Sequence, residues 1–321
     1  MDNYTNKIEA IINEIKKVVM GKDHIIEKVL TAVLAKGHIL IEDIPGVGKT
    51  TLALAFSRAM ALEHHRMQFT PDVLPTDVVG FTILNKENEF EYKPGAILCN
   101  LFLADEINRT SSKTQSALLE VMEEGRITVD GITREVPKPF TVIATQNPIG
   151  SIGTQMLPES QLDRFMIKLT MGYPDVQNEI NILKGRQKTD PITSVNQAAG
   201  IEDITNMQEE AEETFIHDVI YQYIAALITA TRNHPLIQLG VSPRGALALT
   251  AMAKTRAYIK GRDYTLPEDV GAVFYDVAGH RIVLSPKARV NHVSSENILA
   301  DIIKQVPSPR LAPSGTGSRS M

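Results

Sequence analysis

The sequence is poor in three things. Its 321 residues include one cysteine, Cys99, which excludes an internal disulfide. It has no long apolar run and it starts on charged and polar residues, so neither a membrane span nor a secretion signal is expected. A cytoplasmic location follows as the default expectation. Excess positive charge is missing too: 33 Lys and Arg stand against 38 Asp and Glu, a formal net charge of -5. Proteins that grip nucleic acid carry a basic footprint, and here such a face would have to be local. The eight His are scattered, and the adjacent His64 and His65 point to opposite faces of a strand, so no metal-ligating cluster is expected beyond a phosphate-bound cation.

What is present reads as a globular chain of two domains, 43% hydrophobic and 22% charged. "IEAIINEIKKVV" and "IIEKVLTAVL" space their apolar residues as two amphipathic helices broken at Gly21. From there to about Lys168 short apolar runs alternate with helical patterns. "HILIE", "RMQF", "LFLADE", "FTVIAT" and "RFMIKL" predict five strands, with helices at 49–62 and 112–124. That alternation predicts an α/β fold, a parallel five-stranded sheet with helices on both faces. Two segments interrupt it: a two-stranded insertion at about 78–96, turning at Asn85 to Glu89, and a hairpin at about 126–136, turning on Asp130-Gly131. After a helix at about 175–188, the polar segment 188–200 predicts an exposed linker between a core at 1–187 and an all-α domain at 201–306. The tail, 307–321, is rich in Pro, Ser and Gly and is expected to be disordered.

"IEDIPGVGKTTLAL" places a loop of Pro45, Gly46, Val47 and Gly48 between a strand and a helix that opens at Lys49, Thr50 and Thr51. Backbone N–H groups and the positive end of a helix dipole then converge on one spot, which is a phosphate site. The strict pattern G-x-x-x-x-G-K-[ST] is met except at its first glycine, where Asp43 stands. Lys49 is the expected point charge on the β- and γ-phosphates of ATP, and the Thr50 hydroxyl the expected ligand of Mg²⁺.

The rest of a hydrolytic site follows in order. "LFLADE" ends in Asp105, suited to the Mg²⁺ shell, and Glu106, suited to an attacking water. "FTVIAT" ends in Gln146-Asn147-Pro148, where an amide at a strand tip can orient water. "LPESQLDRF" brings Arg164, and "VSPRGALAL" opens a helix with Ser242 as N-cap, Pro243 at its first position and Arg244 in its first turn. An arginine opposes the helix dipole there, which suggests another use.

That order resembles the AAA+ ATPases. "QFTPDVLPTDVVG", "LFLADEINRTSSKTQSALLEVMEE", "VIATQNP", "LPESQLDRF" and "SPRGALAL" look more closely like the MoxR branch, from about Ile15 to Pro307. The resemblance implies a P-loop AAA+ core with a C-terminal helical lid. It implies Lys49 and Thr50 as Walker A contacts, Asp105 as the Mg²⁺-associated acid and Glu106 as the base. By the same resemblance Asn147 is sensor 1, Arg164 the arginine finger and Arg244 sensor 2, acting on its own nucleotide or a neighbour's. Arg66 and Arg109 are expected to face the subunit boundary. Such proteins form rings, typically hexamers, and act as chaperone-like remodellers of protein complexes, often with a partner bearing a von Willebrand factor A domain.

Three readings stand at this point: an ATP-driven protein remodeller, a nucleic-acid motor, and a nucleotide-state switch with slow turnover. The motor would want basic loop tips, whereas the hairpin turns on Asp130 and the insertion tip holds Glu87 and Glu89.

Overall fold

Apolar runs of four to six residues set between helical patterns have to bury both faces, and a parallel sheet covered by helices does this. The computed structural model describes residues 2–147, 156–185 and 191–309; Pro148, residues 188–190 of the expected linker and residues 310–321 of the expected tail lie outside the described residues. The chain begins with α1 (Asp2–Lys16) and α2 (Asp23–Leu34), then β1 (Ile39–Glu42), α3 (Lys49–Ala59) and β2 (His64–Gln68). A short α4 (Pro75–Val79) leads into the insertion, β3 (Gly80–Leu84) and β4 (Phe90–Pro94). There follow β5 (Leu101–Asp105), a 3-10 turn at Ile107–Arg109, α5 (Ser112–Glu124), the hairpin β6 (Arg126–Val129) and β7 (Ile132–Glu135), and β8 (Thr141–Gln146). The core closes with α6 (Glu159–Leu162), β9 (Ile167–Leu169) and α7 (Val176–Gly185).

Five parallel strands form one sheet in the order β2-β5-β8-β1-β9. Every residue of β5 and β8 is buried. Ile39, Ile41, Leu101, Leu103 and Ile143 pack on the layer of α1, α2 and α3, whereas Leu40, Phe102, Ala104, Val142 and Ala144 pack on Leu118 and Leu119 of α5. The register aligns the carboxyl ends of the strands: Gln68 lies opposite Asp105, and Glu42 opposite Gln146. Ligands of open α/β sheets bind at that edge. His38, at the entry to β1, is structural: one ring nitrogen meets Met122 O at 2.9 Å, the other accepts the Val142 N–H at 3.0 Å, and burial pulls its pKa down to about 4.

The C-terminal part is built from α8 (Ile201–Glu213), α9 (Asp218–Asn233), β10 (Ile237–Leu239), α10 (Pro243–Ile259), α11 (Pro267–Ala278), β11 (Val283–Leu284), α12 (Pro286–Val290) and α13 (Ser295–Gln305). It is a helical lid with one addition to the expected all-α content, an antiparallel pair of β10 and β11. Ile224, Leu249 and Phe274 of the lid belong to the same apolar cluster as α1 to α3. The expected exposed linker takes a different form in its described part. Ile192, Val195 and Ala199 are buried, and the Ala198 and Ala199 N–H groups donate to Ala59 O at 2.8 and 3.0 Å. Three small or apolar residues spaced through a polar segment pin it to the end of α3. No helix among the described residues is long and apolar enough to cross a membrane.

Both interruptions are hairpins as expected. Asp130 and Gly131 have φ of 51° and 76°, the pair of positive values that a tight two-residue turn requires. Arg134 of β7 lies 3.8 Å from the centre of the Tyr92 ring on β4, so the two hairpins are clasped together.

Candidate nucleotide site

The loop after β1 opens α3 through Gly46 and Gly48, with φ of 87° and 95°, values at which any side chain would be strained. Gly48 precedes the first turn of α3, and no side chain caps the N–H groups there. The Lys49 ammonium lies in the mouth of this loop, donating to Asp43 O at 2.7 Å and Ile44 O at 3.1 Å. Burial lowers its pKa, and the charges of Asp43, Asp105 and Glu106 oppose that shift.

Asp43, the departure from the strict pattern, has a structural use. One carboxylate oxygen accepts the Ile44 N–H at 2.8 Å and the other the Gly172 N–H at 2.6 Å. The start of the loop is thereby tied to the segment that carries Tyr173. Tyr173, Val18, Val19, Met20, Gly48 and Ile182 are among the residues around a pocket of 490 Å³, continuous with the loop and lined on its far side by α7.

The acids stand at the tips of β5 and β8. Thr145 is the organiser: its hydroxyl donates to Asp105 Oδ1 at 2.6 Å and accepts the Glu106 N–H at 2.9 Å. Glu106 has φ 56° and ψ 49°, a left-handed conformation that is uncommon outside glycine and is held here by that bond. Its side chain is fully engaged. Asn147 Nδ2 donates to Oε1 at 2.7 Å, while Arg109 Nη1 at 2.7 Å and Gln68 Nε2 at 2.9 Å donate to Oε2. Arg66 Nη2 reaches Asp105 Oδ2 at 2.8 Å. Arg66 and Arg109, expected at the subunit boundary, therefore bind the two acids of their own chain.

Asn147 and Glu106 are thus brought together beside the loop, while Arg164 and Arg244 are placed elsewhere. Neither arginine lines the pocket at Gly48. Arg164 donates to Leu119 O at 3.1 Å and pairs with Glu123, near the end of α5; Arg244 pairs with the same Glu123.

The donor set suits a polyphosphate with a hard cation: the uncapped backbone N–H groups at the start of α3 and an ammonium, then a hydroxyl on Thr50 and a carboxylate on Asp105. Comparison with known proteins decides the family. Residues 38–167 match the model of the ATPase family associated with various cellular activities, and residues 229–302 match an AAA lid domain. The chain is 46% identical to the uncharacterized protein YeaC of Bacillus subtilis over 299 residues, 93% of each chain. It is 38% identical to chaperone MoxR1 of Mycobacterium tuberculosis over 314 residues, 95% of this chain and 83% of that one. The chain belongs to the MoxR-type AAA+ ATPases. A crystal structure of an ATPase-like protein from Cytophaga hutchinsonii superposes with a TM-score of 0.89 at 37% identity, over 96% of both chains.

Within this family frame, Thr145, Gln68 and Glu123 are functional candidates that sequence reasoning missed. Thr145 carried a signal, since it follows directly on the last apolar residue of a strand whose neighbour ends in Asp105. Asp43 allows a direct check. Asp43→Gly restores the strict loop pattern but removes two hydrogen bonds to a carboxylate, and nucleotide affinity is expected to weaken about tenfold, ~1.4 kcal/mol. Titration calorimetry with ATP measures it; equal or tighter binding would show that Asp43 contributes nothing to holding the loop.

Proposed function

We propose that the chain binds ATP with Mg²⁺, hydrolyses it, and uses the cycle to remodel protein complexes from within a ring, a hexamer by resemblance to its family. In this reading residues 1–187 are the nucleotide-binding core, 188–200 the connection, and 201–306 the lid. The backbone of Pro45, Gly46, Val47 and Gly48 wraps the phosphates, with Thr51 in the same turn. Lys49 leaves its two carbonyl partners for the β- and γ-phosphates. Thr50 and Asp105 would hold Mg²⁺, which supplies charge neutralisation between phosphate oxygens when bound. Glu106 takes the proton of the attacking water, and Asn147 orients both that carboxylate and the water. Arg164 is the finger given to a neighbouring subunit, and Arg244 is assigned to that neighbour's site too, since it shares Glu123 with Arg164 on α5.

The observation that carries hydrolysis is the Glu106 carboxylate, held 2.7 Å from Asn147 at the strand tips. A chaperone-like role rests on the family and on MoxR1, a chaperone by name. A partner with a von Willebrand factor A domain rests on the resemblance alone, and a cytoplasmic setting is the default reading of a sequence without a long apolar run.

Phosphate release tests the reading. Turnover is expected to need Mg²⁺, to vanish with chelator, and to be unchanged by single-stranded DNA at physiological salt. The hairpin turns on Asp130, and at the insertion tip Glu87 and Glu89 outweigh the single Lys86, which leaves little for counterion release. Turnover stimulated by DNA, with tight binding, would replace the remodeller with a nucleic-acid motor.

A further inference from the structure

Two arginines from distant parts of the chain share one carboxylate. Arg164 follows α6 in the core, and Arg244 stands in the first turn of the lid helix α10; both guanidiniums meet Glu123, one on each oxygen. Like charges repel when gathered at one point, so the pair would spread apart without an anion between them.

Glu123 is not what fastens the lid to the core. A separate set of contacts does that. Ser242, the N-cap of α10, donates its hydroxyl to the Asp163 carboxylate at 2.9 to 3.0 Å. The buried Arg281 guanidinium donates to Asp163 Oδ1 at 2.8 Å, Phe165 O at 2.6 Å and Met166 O at 3.0 Å. Gly245 makes the close approach possible: a side chain there would come within 2.7 Å of Arg281 Cδ. Asp163 immediately precedes Arg164, and Ser242 stands two residues before Arg244. The backbones bearing the two arginines are therefore joined with no help from Glu123. Ion pairs as open as those of Glu123, whose side chain is 37% exposed, add little to stability. What Glu123 sets is where the two guanidinium heads point.

We propose that Glu123 is a positioning residue that gathers Arg164 and Arg244 into one two-armed cation, aimed at the polyphosphate of a nucleotide held by a second copy of the chain. The three groups together carry a net charge of +1, which leaves the pair attractive to an anion. Guanidiniums fixed before the phosphate arrives need no reorganisation in the transition state. The inference rests on the reading of Arg164 as a finger given to a neighbour.

The test uses the full chain, with assembly checked by mass photometry. Glu123→Gln keeps the shape and removes the charge, and it is expected to lower kcat about 10- to 100-fold, with ATP affinity, assembly and Tm unchanged. Glu123→Asp keeps the charge and is expected to recover most of that loss. In a background that lacks both arginines, Arg164→Ala with Arg244→Ala, Glu123→Gln should lower kcat no further, because its effect passes through those two side chains. A merely structural role would instead lower Tm in Glu123→Gln and add its loss to that of the doubly substituted background. Unchanged or faster turnover in Glu123→Gln, with Arg164→Ala inactive, would overturn the positioning role and leave the finger reading standing. Full turnover in Arg164→Ala would overturn both.

Discussion

Glu106→Gln is expected to bind ATP as the natural chain does and to lose about 10²- to 10⁴-fold in turnover, the usual contribution of a positioned general base, or ~3 to 5 kcal/mol of barrier. The amide keeps the size of the side chain and can still meet Asn147 and Gln68, so the loop after β1 is untouched. Lys49→Ala should do the reverse. It removes the ammonium that sits 2.7 Å from Asp43 O in the mouth of the loop, and ATP binding should be lost before any chemistry can be tested. Titration calorimetry and single-turnover hydrolysis on folded protein separate the two. Equal loss of ATP binding in both variants would mean that Glu106 holds the nucleotide and that another group activates water. With binding preserved, Glu106→Gln also becomes a trap, since a client engaged in the ATP state is not released by hydrolysis.

Much of this site was legible because each part is local in sequence. A strand, a glycine-containing turn and a helix within fourteen residues, "IEDIPGVGKTTLAL", predict the loop; an apolar run ending in Asp105-Glu106 predicts the acids. The hairpins were legible for the same reason, the Asp130-Gly131 pair most clearly. What escaped depends on register between strands far apart in sequence. Thr145 matters because β8 lies beside β5, and Gln68 because β2 lies on the other side. Glu123 looks like one more acid in "LLEVMEE" until the lid is docked. The pair β10 and β11 escaped because three and two residues are too few to show an alternation. The segment 188–200 reads as exposed by composition, but three buried residues in it outweigh its polar average. Asp43 shows the same limit from the other side. A motif marks it as a departure, and only the fold shows the second backbone, at Gly172, that it ties in.

Arg164 carries the largest expected effect that crosses a subunit boundary. In its own chain it is turned onto α5, bound to Glu123 and to Leu119 O, and it is absent from the lining of the pocket at Gly48. A guanidinium delivered to a γ-phosphate is worth about 10³ to 10⁵ in rate, or ~4 to 7 kcal/mol. Arg164→Ala should therefore leave ATP binding intact and reduce turnover by that amount. Delivery in trans is tested by mixing. Arg164→Ala subunits have a sound pocket and no finger to give, whereas Glu106→Gln subunits have a finger and no base. Each pure assembly is expected to be inactive. In mixed assemblies, an Arg164→Ala subunit seated next to a Glu106→Gln subunit receives its finger and should hydrolyse ATP. The recovered activity should rise and fall with the mixing ratio, largest near equal proportions. Native mass spectrometry establishes whether the subunits have mixed. If they have, and activity stays at the level of the pure variants, Arg164 does not serve a neighbour and its pairing with Glu123 is structural.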